Sequence, residues 1–241
     1  MPDKRTHRGA HPEDAKLFSS SQIVNLRQAV CDYSMLLSKG YAEKSSLKLV
    51  GDRFRLTERQ RIAVMRCGCS DEQLGYRREN VVEAGKVEQS EIAIDGYNVL
   101  ITIESALSGG FIFRGRDGCL RDLASIHGTY RKVCETIPAI ELVGKCLSQL
   151  GAGHCLWFFD SPVSNSGRLK TIMYEVIEKN GWGWDVELSQ NPDKELIATD
   201  RIVVTSDSAV LDKCGRWSNL SEYIIERSIS STQMVDLSGC D

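Results

Sequence analysis

The stretch Ile92-Ala93-Ile94-Asp95-Gly96-Tyr97-Asn98 is an apolar run that stops at a carboxylate and a turn. Read by itself, it is a buried strand delivering one acid to the carboxyl edge of a sheet, where open α/β folds bind their ligands. Two later stretches repeat the pattern: Leu156-Trp157-Phe158-Phe159-Asp160-Ser161 and Ile202-Val203-Val204-Thr205-Ser206-Asp207-Ser208. Three such endings in one domain gather carboxylates at one edge, which is how a protein builds a site for hard divalent cations.

Working outward, strand and helix patterns alternate. Strands are predicted at residues 92–95, 154–160, 185–188 and 202–205. Helices are predicted at 118–135 (Leu120, Leu123, Ile126, Tyr130 and Val133 on one side), 139–149, 168–179 and 192–199, with helical turns at 208–214 and 221–227. This order implies a mostly parallel sheet with helices on both faces and right-handed crossovers. The chain ahead of it reads as helical. Ser19-Ser20-Ser21 can cap a helix with Ile23, Leu26, Val30, Tyr33 and Leu37 at three-and-four spacing, stopped at Lys39-Gly40. A second helical stretch covers 45–51, and Thr57 can cap a third that holds Ile62, Ala63 and Met65. The expected organisation is a basic helical domain at 1–78, a junction at 79–90, and an α/β domain at 91–241.

Composition sets the bounds. With 241 residues, 41% hydrophobic and 26% charged, the chain has ample material for a core. No apolar run reaches the roughly 18–20 residues that span a bilayer, and residues 1–13 lack the apolar segment of a secretory signal, so a cytoplasmic location and no membrane are expected. The nine cysteines are odd in number and scattered. Cys67 and Cys69 form a Cys-x-Cys without a second pair at zinc spacing. Cys119, Cys134, Cys146 and Cys155 read as small core residues, and no disulfide scaffold is expected. Residues 1–78 carry an excess of six positive charges and 79–241 an excess of nine negative ones. That asymmetry fits one part touching a polyanion and another binding cations, or simply two domains of different charge.

With parallel strands, Asp95, Asp160 and Asp207 leave the sheet at one edge, and Asp193 opens the helix after the third strand. A fifth acid is either Asp122, about 80° from the apolar centre of the 118–135 helix on a helical wheel, or Glu104, if the chain after Asp95 is helical. So many carboxylates stay ionised together only when cations share the site, and Mg²⁺ or Mn²⁺ would supply that charge through oxygen ligands. Asn98, Ser161, Thr205 and Ser206 are placed to orient waters or ligands. The plain alternative is that each Asp caps the helix that follows it. Arg53, Arg55, Arg59, Arg61 and Arg66 crowd the third helical stretch and suit phosphate contacts; a solvated charged face explains the same run, and no interleaved aromatic ladder accompanies it. Arg168 and Lys170 are further candidates for a backbone phosphate. The segment from His7 to Asp14 (His-Arg-Gly-Ala-His-Pro-Glu-Asp) reads as a structured N-terminal turn, with metal ligation as its alternative.

The string Ile94-Asp95-Gly96-Tyr97-Asn98-Val99, the strand-end Asp160 and Val203-Val204-Thr205-Ser206-Asp207, in that order, resemble the PIN-like superfamily in its NYN branch over about residues 90–215. The resemblance implies a three-layer α/β/α sandwich and, for many members, a metal-dependent ribonuclease. Carried over, Asp95 and Asp207 would be metal ligands, Asp160 an edge carboxylate, Asp193 the acid of the later helix and Asp122 that of the first. The sequence departs from that pattern at Asn191-Pro192-Asp193-Lys194, where an Ala-Asp-Asp-like context is usual, and in an insertion at 109–117. The whole chain also resembles an uncharacterised archaeal family with an N-terminal Arg-Gly-x-His-Pro and a later Val-Gly-Asp-Arg.

The expected function is thus a divalent-metal-dependent ribonuclease with RNA as partner. The alternative is a non-catalytic PIN-like module that binds RNA or protein, with a homo-oligomer or protein partner reached through the N-terminal domain. A haloacid-type phosphatase wants a second Asp two residues after the nucleophile, where this chain has Tyr97. A dinucleotide fold lacks its Gly-x-Gly-x-x-Gly after the first strand.

Overall fold

The structure, a computed structural model, describes residues 6–124 and 128–239. Among them the N-terminal part is helical: α1 Asp14–Leu17, α2 Ser20–Ser38, α3 Glu43–Arg53, α4 Glu58–Cys67 and α5 Asp71–Asn80. Thr57 and Ser70 each close a capping box, with Gln60 and Gln73, at the starts of α4 and α5. Gly40 follows α2 with φ +79°, a backbone conformation that needs no Cβ. The expected boundary at residue 78 falls inside α5, which the sequence reading did not anticipate.

The α/β part runs β1 Ile92–Asp95, α6 Gly96–Leu107, β2 Phe111–Arg114, β3 Leu120–Arg121, α7 Thr136–Gln149, β4 Cys155–Asp160, α8 Ser166–Asn180, β5 Trp184–Ser189, α9 Pro192–Ala198, β6 Ile202–Val204, α10 Ser208–Leu211, β7 Trp217–Ser218, α11 Leu220–Ser228 and β8 Gln233–Asp236. Five strands form one parallel sheet in the order β5-β4-β1-β6-β7. From β1 the chain steps out through β4 and β5, then returns past β1 to β6 and β7. Such a reversal opens a crevice at the carboxyl ends of the strands on either side of it, here β1 and β6.

Alternation across the pleat puts the two faces of the sheet into two cores. Ile92, Ile94, Trp157, Phe159, Ile202 and Val204 pack with α6, α7, α8 and α11, while Ala93, Phe158 and Val203 pack with Leu196 of α9 and Val210 and Leu211 of α10. The architecture is therefore the expected α/β/α arrangement with a mostly parallel sheet, preceded by a helical N-terminal part. A third core lies under the N-terminal helices. It joins Leu26, Val30, Tyr33 and Val64 to Phe113, Leu123, Val235 and Leu237 from the later chain.

One predicted element is corrected. Among the described residues of 118–135 there is no helix: β2 and β3 form a hairpin, joined to β8 in a second, three-stranded sheet. The apolar residues offered as one helical face go to separate cores, Leu120 and Tyr130 to the first and Leu123 to the N-terminal one. Ile126 lies outside the described residues. The helix that follows the first strand is instead α6. Cys134 is exposed, not a core residue, whereas Cys67, Cys69, Cys119, Cys146, Cys155 and Cys214 are buried thiols. Cys31 is disulfide-bonded.

Candidate acidic cleft at the sheet edge

Gly96 lets α6 start hard against β4. A Cβ there would stand 2.4 Å from the Phe159 ring, so only glycine allows Asp95 to end its strand and begin a helix at once. Asp95 caps α6, accepting from the Asn98 amide at 3.4 Å on Oδ1 and from the Thr205 hydroxyl at 2.6 Å on Oδ2. Asn98 Oδ1 accepts from the Ser206 amide at 2.7 Å and its hydroxyl at 2.9 Å. Thr205 Oγ1 accepts from the Asp207 amide at 3.0 Å, and Asp207 caps α10 through the Ala209 amide at 2.7 Å. Capping and site-building are thus done by the same carboxylates. The Thr205-Ser206-Asp207 turn is tied to the Asp95-to-Asn98 turn across the gap between β1 and β6.

Asp95, Asp122, Asp160, Asp193 and Asp207 all line one cleft of about 640 Å³, together with Asn98 and Ser206. Burial, reinforced by Asp207 and Asp193, pushes the Asp95 carboxyl up to about 7. Asp193 is raised by burial and by Asp207 and Asp160, and Asp160 is raised by burial. The Asp193 carboxylate makes no hydrogen bond or ion pair among the described residues. The buried hydroxyl of Tyr97, which also lines the cleft, is without a partner there too.

Asp122 reaches the cleft by a route the wheel argument did not foresee. It follows β3, and its carboxylate accepts from Thr102 Oγ1 at 2.8 Å and the Ala124 amide at 2.6 Å. Glu104, the rival fifth acid, is excluded from the cleft. It sits fully buried on α6, paired with Arg8 at 2.7 Å and bonded by Tyr130 and by Thr136 at 2.6 Å. Ser161 does not line the cleft, and Thr205 acts through Asp95.

The basic candidates separate. Arg59 pairs with Asp14; Arg61 serves Asp52 at 2.7 Å and the carbonyls of Leu56 and Lys48. Arg66 lines the cleft but donates to the carbonyls of Asp122 and Ala124 at 2.5 and 3.4 Å. Arg53 stays 70% exposed beside Asp32 and Arg55 is exposed, so these two of the five keep largely open guanidiniums. Arg168 is exposed on α8, and Lys170 lies 5.8 Å from the Tyr174 ring; neither lines the cleft. The His7-to-Asp14 segment is a structured turn, with the His11 amide donating to Asp14 at 2.9 Å.

Two arginines that the sequence reading missed also line the cleft. Arg121 donates to the Ser206 carbonyl at 2.8 Å and to both oxygens of Asp117 at 2.8 and 2.7 Å. Arg77 of α5 reaches Asp117 at 2.5 Å and Asp212 at 2.7 Å. Apart from the Arg121–Asp117 pair, four positions apart, these contacts join residues far apart in the chain, and no sequence spacing announces them. The opposite wall is Tyr33, Leu37, Met65 and Gly68 of the N-terminal part.

An all-oxygen set of this kind suits a hard divalent cation, and a carboxyl raised by burial and then by its acidic neighbours is what a cation would relieve. As they stand, no three His, Cys, Asp or Glu side chains among the described residues converge closely enough to hold a metal ion. None of the described helices is long and apolar enough to cross a membrane.

A family model described as a domain of unknown function (DUF5616) matches residues 84–223, and one described as a protein of unknown function (DUF434) matches 25–80. An uncharacterised protein of Methanocaldococcus jannaschii is 26% identical over 188 residues, covering 78% of this chain and 89% of that protein. No solved structure matches the chain.

Proposed function

We propose that this chain, which belongs to the DUF5616 family, is a divalent-metal-dependent ribonuclease of the PIN-like, NYN kind. The observation that carries the reading is the convergence of Asp95, Asp122, Asp160, Asp193 and Asp207 on one cleft at the β1/β6 crevice. Asp95, Asp160, Asp193 and Asp207 would hold Mg²⁺ or Mn²⁺, with Asp122 beside them. Such an ion, when bound, supplies an activated water and charge for the leaving oxygen of a phosphodiester.

The chain's own residues do the rest. Thr205 and the Asn98 amide fix Asp95 in one orientation, and Asn98 locks the Ser206 turn so that Asp207 keeps its place. The apolar wall of Tyr33, Leu37 and Met65 offers a surface for a base while the acids face the backbone. RNA is the partner this reading names, and a cytoplasmic location goes with it.

One observation favours the second reading, a PIN-like module that binds RNA or protein without cutting it: the acids do not form a closed ligand set. Incubation of labelled single-stranded and structured RNAs with Mn²⁺ or Mg²⁺, beside EDTA, separates the two. Cleavage should need the metal and fall by a factor on the order of 10² or more in Asp95→Asn and in Asp207→Asn, with melting curves of folded protein. Undiminished cleavage in both variants, or none by the parent chain, would remove the nuclease reading.

A further inference from the structure

A second cavity, of about 450 Å³, adjoins the acidic cleft, with Asp122 and Ala124 lining both. Its chemistry is opposite. Five of its lining residues are His7, Arg8, His11, Arg59 and Arg131, and its two carboxylates are already spent. Asp14 accepts from Arg59 through both oxygens, and Asp122 accepts from Thr102 and the Ala124 amide.

Several donors remain. Arg8 uses its Nε on Glu104 and one terminal nitrogen on the Arg131 carbonyl at 3.1 Å, which leaves Nη1. The Arg131 guanidinium makes no hydrogen bond or ion pair among the described residues. His11 uses only Nδ1, as acceptor from the Glu13 amide at 3.3 Å. The amides of Gly9 and Ala10, also at the cavity wall, donate to nothing among the described residues. The fold thus fixes Arg8 through a fully buried carboxylate and leaves residues with forked and backbone donors in the lining of one cavity.

We propose that this cavity binds a phosphate group, with Arg131, Arg8, His11 and the Gly9-Ala10 amides as its donors. Planar guanidinium forks and successive backbone N–H groups match the tetrahedral oxygens of phosphate. Asp122 and Ala124, whose carbonyls accept from Arg66, set the phosphate site next to the acids. If the cleft is the nuclease site, the ligand is the terminal phosphate of a strand lying in it. That last step rests on the proposed function; phosphate binding does not.

Calorimetric titration of the full chain with inorganic phosphate tests the site. Saturable binding is expected, weakened roughly tenfold or more in Arg131→Gln, as for loss of a charge-assisted hydrogen bond, and largely kept in Arg131→Lys. Asp95→Asn should bind phosphate like the parent, which separates this site from the cleavage reading. Titration with 5′-phosphorylated and 5′-hydroxyl oligoribonucleotides then identifies the source. Tighter binding of the phosphorylated strand than of phosphate marks a strand-end site; equal binding marks a free-phosphate site. No saturation at millimolar phosphate, or equal binding by the parent and Arg131→Gln, overturns the proposal.

Discussion

Asp95 is the residue on which site and stability meet. Its carboxyl is pushed from the ordinary 3.8 up to about 7, first by burial and then by Asp207 and Asp193. A carboxyl whose folded pKa lies above its unfolded one favours the fold fully below the unfolded value. That contribution is lost as the pH rises through about 7. Without divalent metal the chain should therefore lose on the order of 2–4 kcal/mol between about pH 4 and pH 8 from this group. Asp160 and Asp193, both raised by burial, act in the same direction. Thermal melts of the metal-free protein at about pH 5 and pH 8 should show a fall that Asp95→Asn reduces. Mn²⁺ should restore the parent at pH 8 more than the variant. Superimposable pH profiles for parent and variant would mean that Asp95 is ionised without strain. The residue itself was legible in the sequence, because a strand ending in Asp-Gly declares both its edge and its turn. The hydroxyl of Thr205 and the amide of Asn98 were legible as neighbours, though not their actual bonding.

Among the elements, the hairpin β2–β3 clamps the cleft floor. Between its strands Asp117 is buried between Arg77 of α5 and Arg121 of β3, whose charges hold its carboxyl far below the usual range despite burial. Removing one partner of such a set leaves buried charge uncompensated and costs about 3–5 kcal/mol. Asp117→Asn should be destabilised by that amount in urea unfolding. Its loss should be far greater than that of Asp71→Asn, whose contact with Arg116 is exposed. Equal losses would show that the buried set contributes nothing beyond a surface pair. Helix α4 invites a different test. Were all five of its neighbourhood's arginines on phosphates, single-strand binding would fall with log salt at a slope of about −3.5, whereas two open ones give about −1.4. With Arg59, Arg61 and Arg66 committed to protein acceptors, the shallower slope is expected, and a measured slope near −3.5 would require those ion pairs to open. The elements also show where sequence reading stops. Helix α6 has Tyr97, Val99, Leu100, Ile101, Ile103 and Ala106 all buried, and its polar Thr102, Glu104 and Ser105 are buried with them, so its polar positions do not mark a solvent face. The 118–135 stretch did carry the period, but Gly118, at φ +80°, bends the chain into the hairpin. Its apolar side chains are then divided between two cores.

At the scale of the whole molecule, the division of the chain at residues 78 and 91 is not a division of its packing. The core beneath α2, α3 and α4 is completed by Phe113, Leu123, Val235 and Leu237, and Phe18 meets the Phe113 ring edge-on at 4.6 Å. Trp217 of β7 donates to the Arg77 carbonyl at 2.8 Å, and Gln73 donates to Asp212 at 2.7 Å. The charge asymmetry of the sequence suggested two parts with two tasks; the cleft instead draws on both, its aspartates from the α/β part and Tyr33, Leu37 and Met65 from the N-terminal helices. Sequence could not reveal this, because the contacts that fuse the parts are between residues 40 or more positions apart. The full chain should then unfold in a single transition, with calorimetric and van't Hoff enthalpies in agreement. A fragment starting at residue 79 should lose its partner for Phe113, Val235 and Leu237 and leave Asp117 with one arginine in place of two. Each of those large side chains is worth about 1.5–3 kcal/mol when buried. Together with the broken ion set this reaches the whole stability of a typical domain, about 5–15 kcal/mol. The fragment should aggregate or bind hydrophobic dye with no cooperative melt. A soluble 79–241 fragment with a sharp melt would show instead that the α/β part stands alone and that the N-terminal helices are an addition to it.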